Sequence, residues 1–191
     1  EEIMRIIAGL AKGRNLISPK DGVRPTSDRA REALFSTLES EFGSIANLKF
    51  LDLYCGSGAV SAEALSRGAA YVQGVDRDEK AVEVARNNHE LLSKLQGVGR
   101  SNIIQMPVKK FLEQTAQDKF DIVFLDPPYD ATMSEVIEVL NLLSSGGFLN
   151  KGSIIAIERD SKSKPILWPK ELTLLKERKY GAATIFYAEA C

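Results

Sequence analysis

The run Asp126-Pro127-Pro128-Tyr129 follows the apolar stretch Phe120 to Leu125, so an acid, two prolines and an aromatic ring stand where a buried strand should end. Both prolines lack an N–H and have fixed φ, and Pro127 pushes Asp126 out of helical geometry, so the corner must be stiff and extended. Such a corner suits one kind of chemistry. The lone pair of an exocyclic base amine is delocalised into its ring, and alkylating that nitrogen needs acceptors that bind its N–H groups and localise the pair. The Asp126 carboxylate and the Pro127 carbonyl are candidate acceptors. Tyr129 can stack on a flat heterocycle, a contact worth about 1–3 kcal/mol. A plain turn would need neither the acid before the prolines nor the aromatic after them.

A second cluster lies in LDLYCGSGAVSAEAL, residues 51–65. Asp52 falls at a strand end, and Gly56 and Gly58 fall in the turn before a helix, where small residues let backbone N–H groups approach a ligand. A nicotinamide-binding loop would place another small residue three positions on, and Ser61 is an imperfect substitute. Asp52 points elsewhere, because an acid at that lip can receive a cationic amino group, which a dinucleotide lacks and S-adenosylmethionine has. Asp76 ends the next strand, close to the separation at which an acid meets a ribose diol, although it would serve equally as a helix cap. Together these residues describe a nucleoside pocket with one acid for an amine and one for a sugar. Tyr54 and Ser57, in the loop, and Arg77, beside Asp76, are counted with the cofactor-binding set.

These side chains need a scaffold that gathers strand ends. From Lys49 onward, short β-rich runs alternate with amphipathic segments, the signature of βαβ units around a parallel sheet. The pattern predicts strands at 49–54, 71–75, 102–105, 120–125 and 153–158, and helices at 58–67, 78–95, 108–115 and 133–144. The segment LTLLKERKYGAATIFYAEA predicts two more strands around Tyr180-Gly181, closing the sheet with a hairpin and one antiparallel strand. Ahead of that core, MRIIAGLAKGRNLISP reads as a short hairpin and TSDRAREALFSTL as a helix with Thr26 or Ser27 as N-cap, joined through a turn-rich stretch from Pro19 to Pro25. A basic extension over 1–25 and one main domain over 26–191 are therefore expected.

Composition is that of an ordinary soluble chain, with a formal net charge of −1, 27% charged and 44% hydrophobic residues. The charge is unevenly spread. Between Met4 and Arg31 there are seven Lys/Arg and two Asp/Glu, a balance of +5, which leaves the remainder net acidic. Arg14, Arg24, Arg29 and Arg31 carry guanidinium forks suited to phosphates, and Thr26 follows a proline-stiffened arginine, so these five are the candidates for contact with a phosphate backbone, which the resemblance given below makes that of RNA. Lys109, Lys110, Lys162 and Lys164 are candidates for widening that surface. Cys55 and Cys191 lie far apart and the single histidine, His89, sits in a polar helical stretch, which suggests neither a disulfide framework nor a metal site. Cys55 reads as a small filler, His89 as a surface residue and Trp168 as a core residue. No apolar stretch approaches the roughly 18 residues of a membrane span and no signal segment opens the chain, so a cytoplasmic location is expected.

LDLYCGSG together with DPPY resembles the class I S-adenosylmethionine-dependent amino-methyltransferases. MRIIAGLAKGRNL, RPTSDRAREALF and ALSRGA resemble the bacterial 16S ribosomal RNA guanine-N2 methyltransferase family, and the likeness runs from Met4 to YGAATIFYAE at the end of the chain. The resemblance implies a Rossmann-like α/β fold with a seven-stranded mixed sheet of order 3-2-1-4-5-7-6. It also implies S-adenosyl-L-methionine in the glycine-loop crevice, and a 16S rRNA guanine, within the small ribosomal subunit, as methyl acceptor for a protein acting as a monomer without metal. Carried onto this chain, Asp52, Gly56 and Gly58 hold the methionine end, Asp76 the ribose, and Asp126 to Tyr129 the target base. Relatives often place an acidic or polar residue near the adenine, whereas this chain reads MPVKKFL, which leaves packing by Met106, Pro107 and Val108 and the Val108 N–H. Two other functions share parts of the pattern: a DNA adenine-N6 methyltransferase, which shares DPPY, and a non-catalytic RNA-binding assembly factor with a vestigial pocket.

Overall fold

The structure is a computed structural model that describes residues 3–19 and 26–191. The elements in chain order are α1 (Asp28–Phe42), β1 (Lys49–Leu53), α2 (Ala59–Ser66), β2 (Tyr71–Asp76), α3 (Glu79–Ser93), β3 (Arg100–Gln105) and α4 (Val108–Glu113). They continue with β4 (Phe120–Leu125), α5 (Met133–Ser145), β5 (Leu149–Asp160), β6 (Leu172–Tyr180) and β7 (Ala183–Ala190). The seven strands form one sheet in the order β3-β2-β1-β4-β5-β7-β6. The first five run parallel, and β7 pairs antiparallel with both β5 and β6. Both the expected order and the closing hairpin are present. The largest difference is β5, which begins at Leu149 rather than 153: the register shift against β4 between Phe120 and Ile122 lets the strand continue across Gly152.

Strand alternation divides the core in two. One face buries Phe50, Val72, Phe124, Ile154 and Ala156 beneath α1 and α2, with Leu34, Phe35, Leu38, Ala62 and Leu65. The other buries Leu51, Leu53, Val75, Val123, Leu125, Ile155 and Ile157 beneath α4 and α5, with Val108, Leu112, Val136 and Leu140. Buried on both faces, β1 and β4 are continuous apolar runs interrupted only by acids.

The amino-terminal hairpin is present as a tight turn closed by one antiparallel bridge, Arg5 to Asn15. Its Met4, Ile6, Ala11 and Leu16 are buried in the first core cluster, so residues 3–19 share the core of the main domain. Its backbone is tied to α2: the Ile7 and Ala8 N–H groups donate to the Glu63 carboxylate at 2.8 and 3.0 Å, and Ala11 N–H donates to Ser66 Oγ at 2.9 Å. The joint up to Pro25, including Arg24, lies outside the described residues. Helix α1 is capped by Ser27, whose hydroxyl accepts from Ala30 N–H, which leaves the Thr26 side chain free for another role.

Candidate active site: a crevice of strand-end acids

Register and alternation put the candidate acids in one row. Asp52 pairs across to Gly74 on β2 and Phe124 on β4, and Leu125 pairs with Ile157 on β5. Asp76 therefore ends β2, Asp126 stands just beyond the end of β4, and Glu158 stands level with Asp126 inside β5, two residues before its end. All three share the parity of the face that buries Val72, Phe124 and Ala156 under α1 and α2. Asp52 lies on the same face one pleat deeper. Across the sheet the order is Asp76, Asp52, Asp126, Glu158, and adjacent strands are about 4.8 Å apart. Such crevices outside the carboxyl ends, near the change in strand order, are where open α/β sheets bind ligands.

The glycine loop crosses this row. Gly56 and Gly58 have φ of 53° and 73°, a region that side-chain-bearing residues avoid, and a Cβ on Gly58 would lie 3.0 Å from the Ala85 Cβ and 3.1 Å from His89 Nε2. Tyr54 also has positive φ, at 60°. The loop is held by the acids themselves: Gly56 N–H donates to Asp76 at 2.9 Å and Ser61 N–H donates to Asp52 at 3.2 Å. Asp76 also accepts from Asp78 N–H at 2.9 Å. Asp52 is 1% exposed, and burial pushes its carboxyl up to about 7 despite the hydrogen bonds from Ser61. A cation placed beside such a buried carboxylate would favour its ionised form.

The Asp126–Tyr129 corner adjoins this loop, since Asp126 N–H donates to Leu53 O at 3.3 Å. Burial, the Glu158 carboxylate and then the Asp52 carboxylate raise the Asp126 carboxyl well above the usual carboxylate range. Pro127 is buried, whereas the Tyr129 ring is 91% exposed beside it, packed against no core. The far end of the corner is held by Arg159, which donates to Ala131 O at 3.4 Å. Val108 opens α4 with its side chain 4% exposed, so its first-turn N–H has no acceptor within the helix. Tyr54 and Ser57 lie in the loop, half-buried and buried, and Arg77 is exposed beside Asp76. The structure thus brings Asp52, Tyr54, Gly56, Ser57, Gly58, Asp76, Asp126, Pro127 and Tyr129 to one rim.

Several expectations change. Arg31 is fully buried, ion-paired with Glu63 at 3.6 Å and Asp28 at 3.1 Å and donating to the Arg5 carbonyl, so it is a structural pin and no phosphate ligand. Thr26 faces the crevice: its hydroxyl donates to Glu158 at 3.4 Å and lies within hydrogen-bonding reach of the Asp126 carboxylate. Arg14 and Arg29 are exposed, as a phosphate contact requires. Lys109 is paired with Glu138 at 2.7 Å. His89 is 3% exposed and bonded to Ser61 at 2.8 Å, because α3 packs its Asn88 and His89 against the glycine loop; burial pushes its imidazole down to about 4. Asn88 bridges the Ser57 carbonyl, at 2.8 Å, to both backbone groups of Ile17. Cys55 is a buried filler against Val82, Ala85 and Ile103, and Trp168 is half-buried against the second core. Among the described residues no His/Cys/Asp/Glu group is arranged to hold a metal ion, and no helix is long and apolar enough to cross a membrane.

The geometry can be set beside known proteins. Residues 4–189 match the family model described as conserved hypothetical protein 95. The ribosomal RNA small subunit methyltransferase D of Haemophilus influenzae is 36% identical over 93% of this chain and 89% of its own length. The protein of that name in Escherichia coli K12 is 33% identical over 93% and 85%. Among solved structures, Escherichia coli yhhF superposes with a TM-score of 0.83 at 32% identity, covering 99% of this chain and 98% of its own. The magnesium protoporphyrin IX methyltransferase of Synechocystis, solved with bound S-adenosylmethionine, shares the fold at a TM-score of 0.66 and 15% identity, over 85% and 79%. Sequence and fold agree over nearly the whole chain: it belongs to the conserved hypothetical protein 95 family, with the ribosomal RNA small subunit methyltransferase D proteins among its relatives.

Proposed function

We propose that this protein transfers a methyl group from S-adenosyl-L-methionine to the exocyclic N2 of a guanine in 16S ribosomal RNA, acting as a cytoplasmic monomer on the small ribosomal subunit. The observation that carries the reading is the row of acids on one face of the sheet, with the glycine loop across its middle and a rigid DPPY corner at its base-binding end. The residues fit the donor. Asp52, ionisable only at a cost, suits the amino group, Asp76 suits the ribose hydroxyls, and Val108 with Met106 and Pro107 suits a flat adenine by packing. Bound there, S-adenosylmethionine supplies an electrophilic methyl carbon on a sulfonium sulfur.

The chain's own groups then act on the acceptor. Tyr129, exposed and beside the corner, stacks on a base extruded from structured RNA. The Pro127 carbonyl and the Asp126 carboxylate accept the two N2–H groups, which turns the nitrogen lone pair out of conjugation and toward the donor. Rigid placement supplies much of the rate, since the reacting atoms must be held about 3–3.5 Å apart and in line. Transfer to N2 would break the donor's C–S bond and leave a neutral thioether, and the surplus proton on N2 passes to Asp126, whose surroundings favour its protonated form. Arg14 and Arg29 contact phosphates of the surrounding RNA, with Arg24 in the undescribed joint between them. The test is incubation of the protein and tritiated donor with unmethylated small subunits, free ribosomal RNA and duplex DNA, followed by nucleoside mass spectrometry. N2-methylguanosine in the ribosomal substrates is expected; N6-methyladenosine in DNA, or no transfer, overturns the reading.

A further inference from the structure

The second carboxylate at the base-binding corner, Glu158, is left unused by that chemistry. Register sets it level with Asp126 on the neighbouring parallel strand, alternation sets it on the same face, and the Thr26 hydroxyl ties the two together. Level positions on neighbouring strands, about 4.8 Å apart, let two carboxylates reach adjacent N–H groups of a single base edge.

The edge of a purine decides what such a pair can hold. Beside its exocyclic amine, guanine carries a second donor, N1–H, whereas adenine carries the N1 acceptor lone pair. Asp126 and the Pro127 carbonyl satisfy the amine of either base. An additional acceptor beside them adds a hydrogen bond to guanine and sets a lone pair against a lone pair with adenine. Building on the proposed guanine-N2 activity, we infer that Glu158 is the base-reading residue of this site, accepting N1–H of the extruded guanine while Asp126 and Pro127 hold N2, with Thr26 fixing its orientation. The pair thereby separates this chain from amine methylators that share the DPPY corner but take adenine, and a site with a half-buried acceptor set against N1 disfavours bases lacking the donor.

The experiment compares guanosine with 2-aminopurine at the modified position. The analogue keeps the 2-amino group but has an acceptor at N1. Small subunits are reconstituted with RNA carrying one or the other, and methyl transfer is measured for the wild type and for Glu158→Gln at about pH 8.5, well above the usual carboxylate range. The wild type is expected to prefer guanosine by at least about 100-fold. Glutamine can donate to an N1 lone pair, so E158Q should lose about tenfold on guanosine and narrow the preference by about tenfold or more. Because the preference is a ratio within one protein, partial misfolding cannot produce it, and donor affinity by calorimetry should match the wild type. An unchanged ratio in E158Q, with guanosine still methylated, overturns the assignment of Glu158 alone. Failure of the wild type to methylate guanosine overturns the underlying activity.

Discussion

At the scale of single residues, the acids of the crevice trade stability for ligand binding. Asp52 ionises in the folded chain only near pH 7, against 3.8 for an unperturbed carboxyl. Its raised value means that its contribution to stability is fully present below about pH 4 and is lost as pH rises through 7, at a cost on the order of 4 kcal/mol. Asp52→Asn should therefore raise the melting temperature of the free protein at pH 8 while weakening donor binding at least tenfold, both measurable by calorimetry. His89 runs the other way: held near 4 against 6.5, it favours the fold above pH 6.5 and withdraws that support as pH falls through 4. Asp126→Asn should retain donor affinity and lose methyl transfer by about 100-fold or more. In the wild type the rate should fall as pH drops through the raised Asp126 value, and an E158Q background should move that acid limb to lower pH because one repelling carboxylate is gone. Asp52, Asp76 and Asp126 were legible in the sequence because glycine or proline punctuates the chain beside each. Glu158 was not, since it sits inside an uninterrupted strand that runs on to Asp160 and reads there as ordinary solvent charge.

At the scale of elements, what sequence patterns hid is how the basic hairpin is fastened. Glu63 lies in the middle of α2 with no solvent exposure, accepts two hairpin N–H groups and pairs with Arg31 and Arg67. Neither the acid nor Arg31 announces this, because a charged residue on an amphipathic helix is usually solvated and only the packing of α1 on α2 reveals the exception. Removing one member of a buried pair typically costs 3–5 kcal/mol, and because Arg67 still faces Glu63 at 2.9 Å the lower end, about 3 kcal/mol, applies to Arg31. Arg31→Ala should accordingly lower the melting temperature by roughly 6–12 °C, at about 2–4 °C per kcal/mol for a chain of this size. Exposed Arg14→Ala should leave it unchanged. Equal melting temperatures for the two variants would mean that Arg31 is not the pin described. Asn88 extends the same fastening to the glycine loop, so the hairpin, α3 and that loop form one braced unit.

At the scale of the whole molecule, a chain of net charge −1 must admit a polyanion to a crevice floored by four carboxylates. The sheet order and the closing hairpin could be read from alternation and turns. The route of approach could not, because it depends on which arginines of the basic segment face outward, and only packing assigns Arg31 inward and Arg14 and Arg29 outward. On the proposed reading the division of labour is physical: the arm attracts phosphates, Asp52 and Asp76 hold the donor, and Asp126 and Glu158 accept only the N–H edge of the base. Attraction of this kind releases condensed counterions, so affinity for RNA should fall steeply as salt rises, with each phosphate contact contributing about 0.7–0.9 to the logarithmic slope. Replacing both Arg14 and Arg29 by alanine should therefore flatten the slope by about 1.5, measured by filter binding or fluorescence anisotropy, while donor affinity and melting temperature stay at wild-type values. Arg31→Ala, assayed at a temperature where it remains folded, should show the opposite pattern, an unchanged slope in a less stable protein. A slope untouched in the double variant would move the phosphate contacts off the hairpin and α1, and the RNA would then have to enter from another rim of the crevice.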